Sequence, residues 1–459
     1  MKLPFLDRAD EVERLRRALR GKDCRLAVLY GRRRCGKSTL LQQVVTPGDV
    51  YFLADQRDAR LQIQAFAAAV DAVIPDFSAA RYDSWDAVLT SLRSRAPGKL
   101  NVVLDEFPYL VQSAPELPSI LQRYIDSPGS GAVNWVLCGS SQRMMQGAVL
   151  DRKAPLYGRA REILNVRPLR AGWIVDALGL DPRASMVAYS VWGGVPRYWE
   201  LACSLDSTEE AMRQLVLDRN GVLHDEPSRL LRDEMRSSVQ AQSMLSLIGA
   251  GCHRLSEIAG RLGKPASSLT RPLNNLVEMG LVGKELPWGE SARSTKRVLC
   301  RIADPFVAFH CRFVVPNKSL LEIGRTESVL NSVMSELGPH CALIWEHLAR
   351  ESVPFSAIAG REWRDAARWW GHDMRGDPAE LDVVAESMDR KSILLGEVKW
   401  GASSMDLERE LARLKMLASR VPFVKRREPV FAVWSPSAVK PPAGLEAQTP
   451  TDVLGLLRG

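Results

Sequence analysis

The segment that most constrains this chain is Gly31-Arg32-Arg33-Arg34-Cys35-Gly36-Lys37-Ser38. It fits the pattern GxxxxGK[ST] at every fixed position. It follows the apolar run Arg25-Leu-Ala-Val-Leu-Tyr30 and opens a helical stretch, Thr39-Leu-Leu-Gln-Gln. A strand, a glycine-rich turn and a helix in that order make a loop whose successive backbone N–H groups wrap phosphates, with the helix N-terminus adding positive potential. Gly31, Arg32, Arg33, Arg34, Cys35, Gly36, Lys37, Ser38 and Thr39 are therefore the candidate phosphate-binding residues. Lys37 is expected to reach the β- and γ-phosphates and the Ser38 hydroxyl to ligate Mg²⁺. A glycine-rich turn that binds nothing is the bland alternative, and the flanking strand and helix argue against it.

Further apolar runs at Asp49–Ala54, Leu100–Leu104, Val133–Cys138 and Glu162–Val166 alternate with helical stretches such as Gln62–Val70. Continuous apolar strands alternating with helices imply a parallel sheet covered on both faces. The third run ends in Asp105-Glu106, a Walker B pattern. Asp105 is expected to hold Mg²⁺ and Glu106 to orient and deprotonate the attacking water. The fourth ends in Gly139-Ser140-Ser141-Gln142, where Ser140 or Ser141 is placed to sense the γ-phosphate. Arg159 or Arg161 in Leu156-Tyr-Gly-Arg-Ala-Arg161 is a candidate for stabilising phosphoryl charge, in cis or across a subunit contact.

These residues resemble the archaeal-type ATPase family of P-loop proteins, close to the AAA+ and signal-transduction NTPase groups. The resemblance rests on Phe5–Leu15, the phosphate loop, Leu104-Asp-Glu-Phe-Pro-Tyr109, Cys138–Ser141, Leu156–Arg159 and Trp192-Gly-Gly-Val-Pro196. Asp7 stands where the family's Phe-x-Gly-Arg opening has glycine. The resemblance implies an ATPase core with a small helical lid, using adenine nucleotide.

Residues 239–305 read as three helices (Gln240–Leu247, Leu255–Leu262 and about Thr270–Met279) and a strand pair (Leu281–Leu286, Arg297–Ile302), the order of a winged helix-turn-helix. Residues 241–300 hold eight Lys/Arg and four Asp/Glu, a local charge of +4. Thr270, Arg271, Asn274 and Asn275 are candidate base readers, and Arg293, Lys296 and Arg297 candidate phosphate contacts. A spacer or protein-binding role is the alternative. Pro272 is expected in the first turn of the third helix, and Pro339 in the first turn of a helix over 339–351.

The last α/β stretch carries Asp382 and, after a hairpin, Glu397 and Lys399. Two carboxylates can hold Mg²⁺ at a scissile phosphate, and a lysine can activate the water; Glu346 on the preceding helix could complete the metal shell. These three positions resemble the PD-(D/E)XK nuclease fold. Solvated charges on an amphipathic strand are the alternative.

Composition narrows the rest. The chain has 459 residues, 62 Lys+Arg and 54 Asp+Glu, a net charge of +8 that permits a nucleic-acid partner without requiring one. No apolar run reaches membrane-spanning length, and the charged N-terminus has no signal-peptide core. The eight cysteines are scattered without zinc spacing, which suggests reduced thiols. The expected organisation is an α/β P-loop ATPase core (1–170), a helical lid (171–238), a winged helix (239–325) and a restriction-endonuclease-like α/β domain (326–459). The expected protein is a cytoplasmic Mg²⁺-dependent ATPase coupling nucleotide state to DNA processing or defence, with DNA and a second copy of the chain as partners. The alternative is an ATP-controlled switch that binds DNA or protein and does not cut.

Overall fold

The computed structural model describes residues 3–20, 25–96, 98–127, 133–235, 237–291, 297–401, 406–424, 426–437 and 440–458. They divide into two compact units: Arg8–Pro168 with Asp233–Met235, and Met1–Asp7 with Leu169–Arg232 and Arg236–Gly459.

In the first unit β1 (Leu26–Tyr30), β2 (Val50–Leu53), β3 (Leu100–Asp105), β4 (Val133–Gly139) and β5 (Glu162–Asn165) form one parallel sheet in the order β2-β3-β4-β1-β5. All five expected strands are present. Side chains alternate between two cores. Leu26, Val28, Val102, Leu104, Trp135 and Leu137 enter one, under the helices Ala59–Asp71, Trp85–Arg95 and Leu117–Asp126. Ala27, Leu29, Val103, Val136 and Cys138 enter the other, with Val12 and Leu15 of the helix Ala9–Arg20 and Leu40 of Lys37–Gln42. Burial on both faces of β1, β3 and β4 is why these strands read as largely apolar runs. Because β3, β4 and β1 are neighbours, Glu106, Ser140 and Gly31, which follow them, share the carboxyl edge of the sheet, where open α/β sheets bind ligands.

In the second unit the helices Pro182–Trp192 and Pro196–Ala202 bury Trp192, Tyr198 and Trp199 against Phe306, Phe309 and Phe313. Three helices, Ser238–Gly249, Leu255–Leu262 and Ala266–Glu278, precede an antiparallel ribbon of β6 (Val282–Glu285) and β7 (Leu299–Ile302). The third helix starts four residues earlier than expected, so Pro272 lies in its interior. An interior proline costs roughly 3 kcal/mol. Burying Leu269, Leu273 and Leu276 contributes about 1.5–3 kcal/mol each and outweighs it. Pro339 also departs from expectation: one helix runs unbroken over Thr326–Ser352 with Pro339 at its middle. Its first half packs Val329, Leu330 and Val333 into the helical core, and its second half packs Ile344, Trp345 and Leu348 against a sheet. Two separate cores hold the helix on either side of the proline.

That sheet has the order β12-β11-β10-β9-β8, from β8 (Ala367–His372), β9 (Pro378–Glu386), β10 (Ser392–Val398), β11 (Glu428–Trp434) and β12 (Glu446–Gln448). The helix Leu407–Arg420 covers one face through Leu411, Leu414 and Leu417; Trp345 and the final helix Pro450–Leu456 cover the other. Neither β12 nor that final helix is among the elements expected from the sequence. No helix among the described residues is long and apolar enough to cross a membrane.

Candidate active site

The phosphate loop depends on two glycines. Gly31 has φ +143°, and a Cβ there would lie 2.3 Å from the Val166 carbonyl oxygen; Gly36, at φ +87°, caps the helix that Lys37 opens. Buried Arg8, from the opening segment, donates to the Cys35 carbonyl at 3.3 Å and to the Arg167 carbonyl, bracing the loop from outside. Asp7 beside it has φ +44°, a left-handed conformation that glycine adopts without strain.

Within the loop, buried Lys37 donates from Nζ to the carbonyls of Gly31 (2.8 Å) and Arg32 (3.0 Å). These are neutral acceptors that a phosphate oxygen can replace. Ser38 and Thr39 are exposed at the helix start, where first-turn N–H groups have no helical acceptor. The Ser38 Oγ donates to Asp105 Oδ2 at 2.7 Å, and the Tyr51 hydroxyl donates to the same oxygen at 2.6 Å. Burial, and then the Asp105 carboxylate, push the Tyr51 hydroxyl well above its ordinary range, so it stays a donor. Glu106 follows in a left-handed conformation (φ +54°), and Ser140 donates from Oγ to its two carboxylate oxygens at 2.9 and 2.8 Å. Lys37, Ser38, Asp105, Glu106 and Ser140 thus converge. A hydroxyl and a carboxylate 2.7 Å apart suit Mg²⁺, which keeps most of its shell as water and phosphate oxygens.

Arg33 leaves the loop toward the same edge. It donates from Nη2 to the Tyr109 hydroxyl at 2.7 Å, from Nε to Ser140 Oγ at 3.5 Å, and pairs with Asp233. Glu234 next to it is buried and accepts from Ser141 Oγ at 3.3 Å. Ser141 therefore faces Glu234, while Ser140 faces Glu106. Asp233 and Glu234 lie some 200 residues from the loop with no motif to mark them, and Tyr51 sits on a strand whose apolar run hid its hydroxyl.

Arg159 does not reach the phosphate loop of its own chain. It grips Asp126 through Nε (2.8 and 3.0 Å) and Nη2 (2.7 Å), and Arg161 N bonds Leu26 O at the start of β1, the opposite edge of the sheet from the loop. A β1 of five residues separates the two edges by about 13 Å.

In the second unit Gly396 pairs with Val383, so Asp382 and Glu397 fall at adjacent positions on β9 and β10. Glu397 is buried, and its two oxygens are taken by Lys399 and Arg413; Asp382 Oδ2 accepts from Val398 N at 2.9 Å. Burial, then the Asp382 charge, raise both the Glu397 carboxyl and that of Glu346, the latter to about 7. The expected acidic residues share one neighbourhood. However, no group of three or more His, Cys, Asp or Glu among the described residues is arranged to hold a metal ion. Lys399, Trp400, Arg409, Arg413 and Ser435 line a cavity of about 590 Å³ beside them.

On the three-helix module Thr270, Arg271 and Asn274 are exposed and Asn275 is half-buried; Asn274 accepts from Lys284 Nζ at 2.9 Å. Arg297, expected on phosphates, instead pairs with Glu290 and donates to the Trp370 carbonyl, tying the ribbon to β8. Arg293 and Lys296 lie outside the described residues.

Residues 5–198 match the model of an ATPase domain predominantly from Archaea, and residues 310–411 that of archaeal and bacterial proteins of unknown function. An uncharacterised protein of Methanocaldococcus jannaschii is 28% identical over 410 residues, 86% of this chain and 87% of its own. The Walker-type ATPase of Pyrococcus abyssi is similar in fold, with a TM-score of 0.53 at 21% identity, over 67% of this chain and 96% of that one. The Aeropyrum pernix ORC2 protein, solved as ADPNP and ADP complexes, gives a TM-score of 0.47 at 17% identity, over 73% of this chain and 97% of that one.

Proposed function

We propose that residues 5–198, which match the model of an ATPase domain predominantly from Archaea, hydrolyse ATP with Lys37, Ser38, Asp105, Glu106 and Ser140 as the working groups. The supporting observation is the meeting of Ser38–Asp105 and Ser140–Glu106 on one sheet edge beside Lys37. Lys37 exchanges two carbonyls for phosphate oxygens. Ser38 and Asp105 are the residues to hold Mg²⁺, which supplies neutralisation of phosphate charge. Glu106, oriented by Ser140, takes the proton of the attacking water. Lys37→Ala is expected to abolish ATP binding measured by calorimetry; undiminished binding would refute the assignment.

The helices and ribbon of residues 238–302 are read as a winged helix that meets DNA through Thr270 and Arg271, and Asp382, Glu397 and Lys399 as a nuclease-like centre. Support comes from the exposure of the first pair and the convergence of the second set. Mg²⁺- or Mn²⁺-dependent DNA cleavage, lost in Glu397→Ala, tests this. One observation favours the alternative, a switch that binds without cutting: both Glu397 oxygens are already neutralised by Lys399 and Arg413. Absence of cleavage alongside retained DNA binding would select it.

A further inference from the structure

We propose that Arg33 is a catalytic residue of this ATPase that contacts the γ-phosphate, and that the Asp233 carboxylate competes with that phosphate for its guanidinium. The inference rests on hydrolysis at the phosphate loop and goes beyond it, because Arg33 is the third residue of the loop and none of the fixed positions of the motif. Its side chain runs to the γ end of the site. Nη2 bonds the Tyr109 hydroxyl at 2.7 Å and Nε reaches Ser140 Oγ at 3.5 Å, while Ser140 donates to both oxygens of Glu106. One hydroxyl therefore separates the guanidinium from the carboxylate that orients the water. Lys37, by contrast, is turned to the Gly31 and Arg32 carbonyls. A planar guanidinium with five donors can keep Tyr109 and still offer a forked pair to phosphate oxygens. The arginine that the sequence suggested, Arg159, is tied to Asp126 at the opposite sheet edge.

The partner now on Arg33 is exchangeable. The Arg33–Asp233 pair is 41% and 39% exposed, a setting in which ion pairs are weak. A phosphate carries more charge than one carboxylate and can accept a forked pair, where Asp233 takes a single contact from Nη1. Asp233 is nevertheless a placed competitor and no stray surface group. Its neighbour Glu234 is buried, held by Ser141 Oγ at 3.3 Å and by the backbone N–H groups of Gln142 and Arg143. The segment is thereby anchored beside the loop.

The test measures, on the full-length chain, dissociation constants for Mg²⁺-ADP and a non-hydrolysable Mg²⁺-ATP analogue, together with kcat. Arg33→Ala should lower the preference for the ATP analogue over ADP by about tenfold or more, with ADP affinity unchanged and kcat reduced. Arg33→Lys should recover only part of both, because an ammonium lacks the fork. Asp233→Asn should raise the preference for the ATP analogue and leave ADP affinity where it was. The proposal is overturned if Arg33→Ala keeps both preference and kcat, or if Asp233→Asn shifts the two nucleotides equally. Continued hydrolysis by Lys37→Ala would overturn the assignment of the phosphate loop as well.

Discussion

Asp105 receives three donors, the Ser38 and Tyr51 hydroxyls on one oxygen and the Glu106 amide on the other. The carboxylate is 1% exposed and so cannot rotate away from the loop. Glu106, one residue later, takes the left-handed backbone that turns its side chain from the strand to Ser140. Non-glycine residues hold that conformation at a cost, and they cluster at functional sites. Glu106→Gln preserves the backbone and the Ser140 contact but removes the proposed base. It should leave ATP affinity unchanged and lower kcat by roughly 10²–10⁴-fold in a steady-state assay. A wild-type rate would remove Glu106 from the mechanism. At this scale the motif residues were readable because backbone geometry dictates them locally. Tyr51 and Arg8 were not, since their roles depend on which strand or loop lies alongside.

Among the elements, the third helix of the module shows packing overriding a local rule. Its start at Ala266 places Leu269, Leu273 and Leu276 on one buried stripe, and Pro272 is tolerated between them. Pro272→Ala restores a helical hydrogen bond and frees the unfolded chain slightly. A net gain of about 1–2 kcal/mol in urea unfolding is expected; a loss would mean the proline shapes the helix to its neighbours. The ribbon behind it is fastened differently. Trp288 N bonds Arg368 O at 2.8 Å, the Trp288 ring meets Phe423 at 4.9 Å, and Arg297 joins the Trp370 carbonyl. An arginine that looks available for nucleic acid in the sequence is consumed by this joint.

For the whole molecule, two units with separate cores imply two unfolding events. Scanning calorimetry should resolve two transitions. Mg²⁺-ATP at a hundred times its dissociation constant should stabilise one of them by about 2.7 kcal/mol, and Lys37→Ala should cancel that shift. A single transition would contradict the separation. The second unit also carries a pH signature. His310 and His340 are buried in it, each donating from Nε2 to a carbonyl, that of His224 (2.7 Å) and that of Ser190 (2.8 Å), and burial lowers each from 6.5 to about 4. Folded values below unfolded ones mean that their contribution is present above pH 6.5 and lost as pH falls toward 4. The slope reaches at most about 1.4 kcal/mol per pH unit for each. His340→Gln should flatten the urea-midpoint profile over that window; an unchanged profile would show that His340 does not titrate there.

The phosphate loop, the Asp105-Glu106 pair, the five strands of the parallel sheet and the hairpin carrying Asp382 and Glu397 were all contained in residue order. Each follows from local spacing, from apolar periodicity or from contacts between chain neighbours. Four features came from the folded chain: the siting of Arg159 on Asp126, the occupation of Glu397 by Arg413, the unbroken helix through Pro339, and the meeting of Arg33 with Asp233. These join residues up to 200 positions apart. Such partners are set by which surfaces pack, and no local spacing encodes that choice.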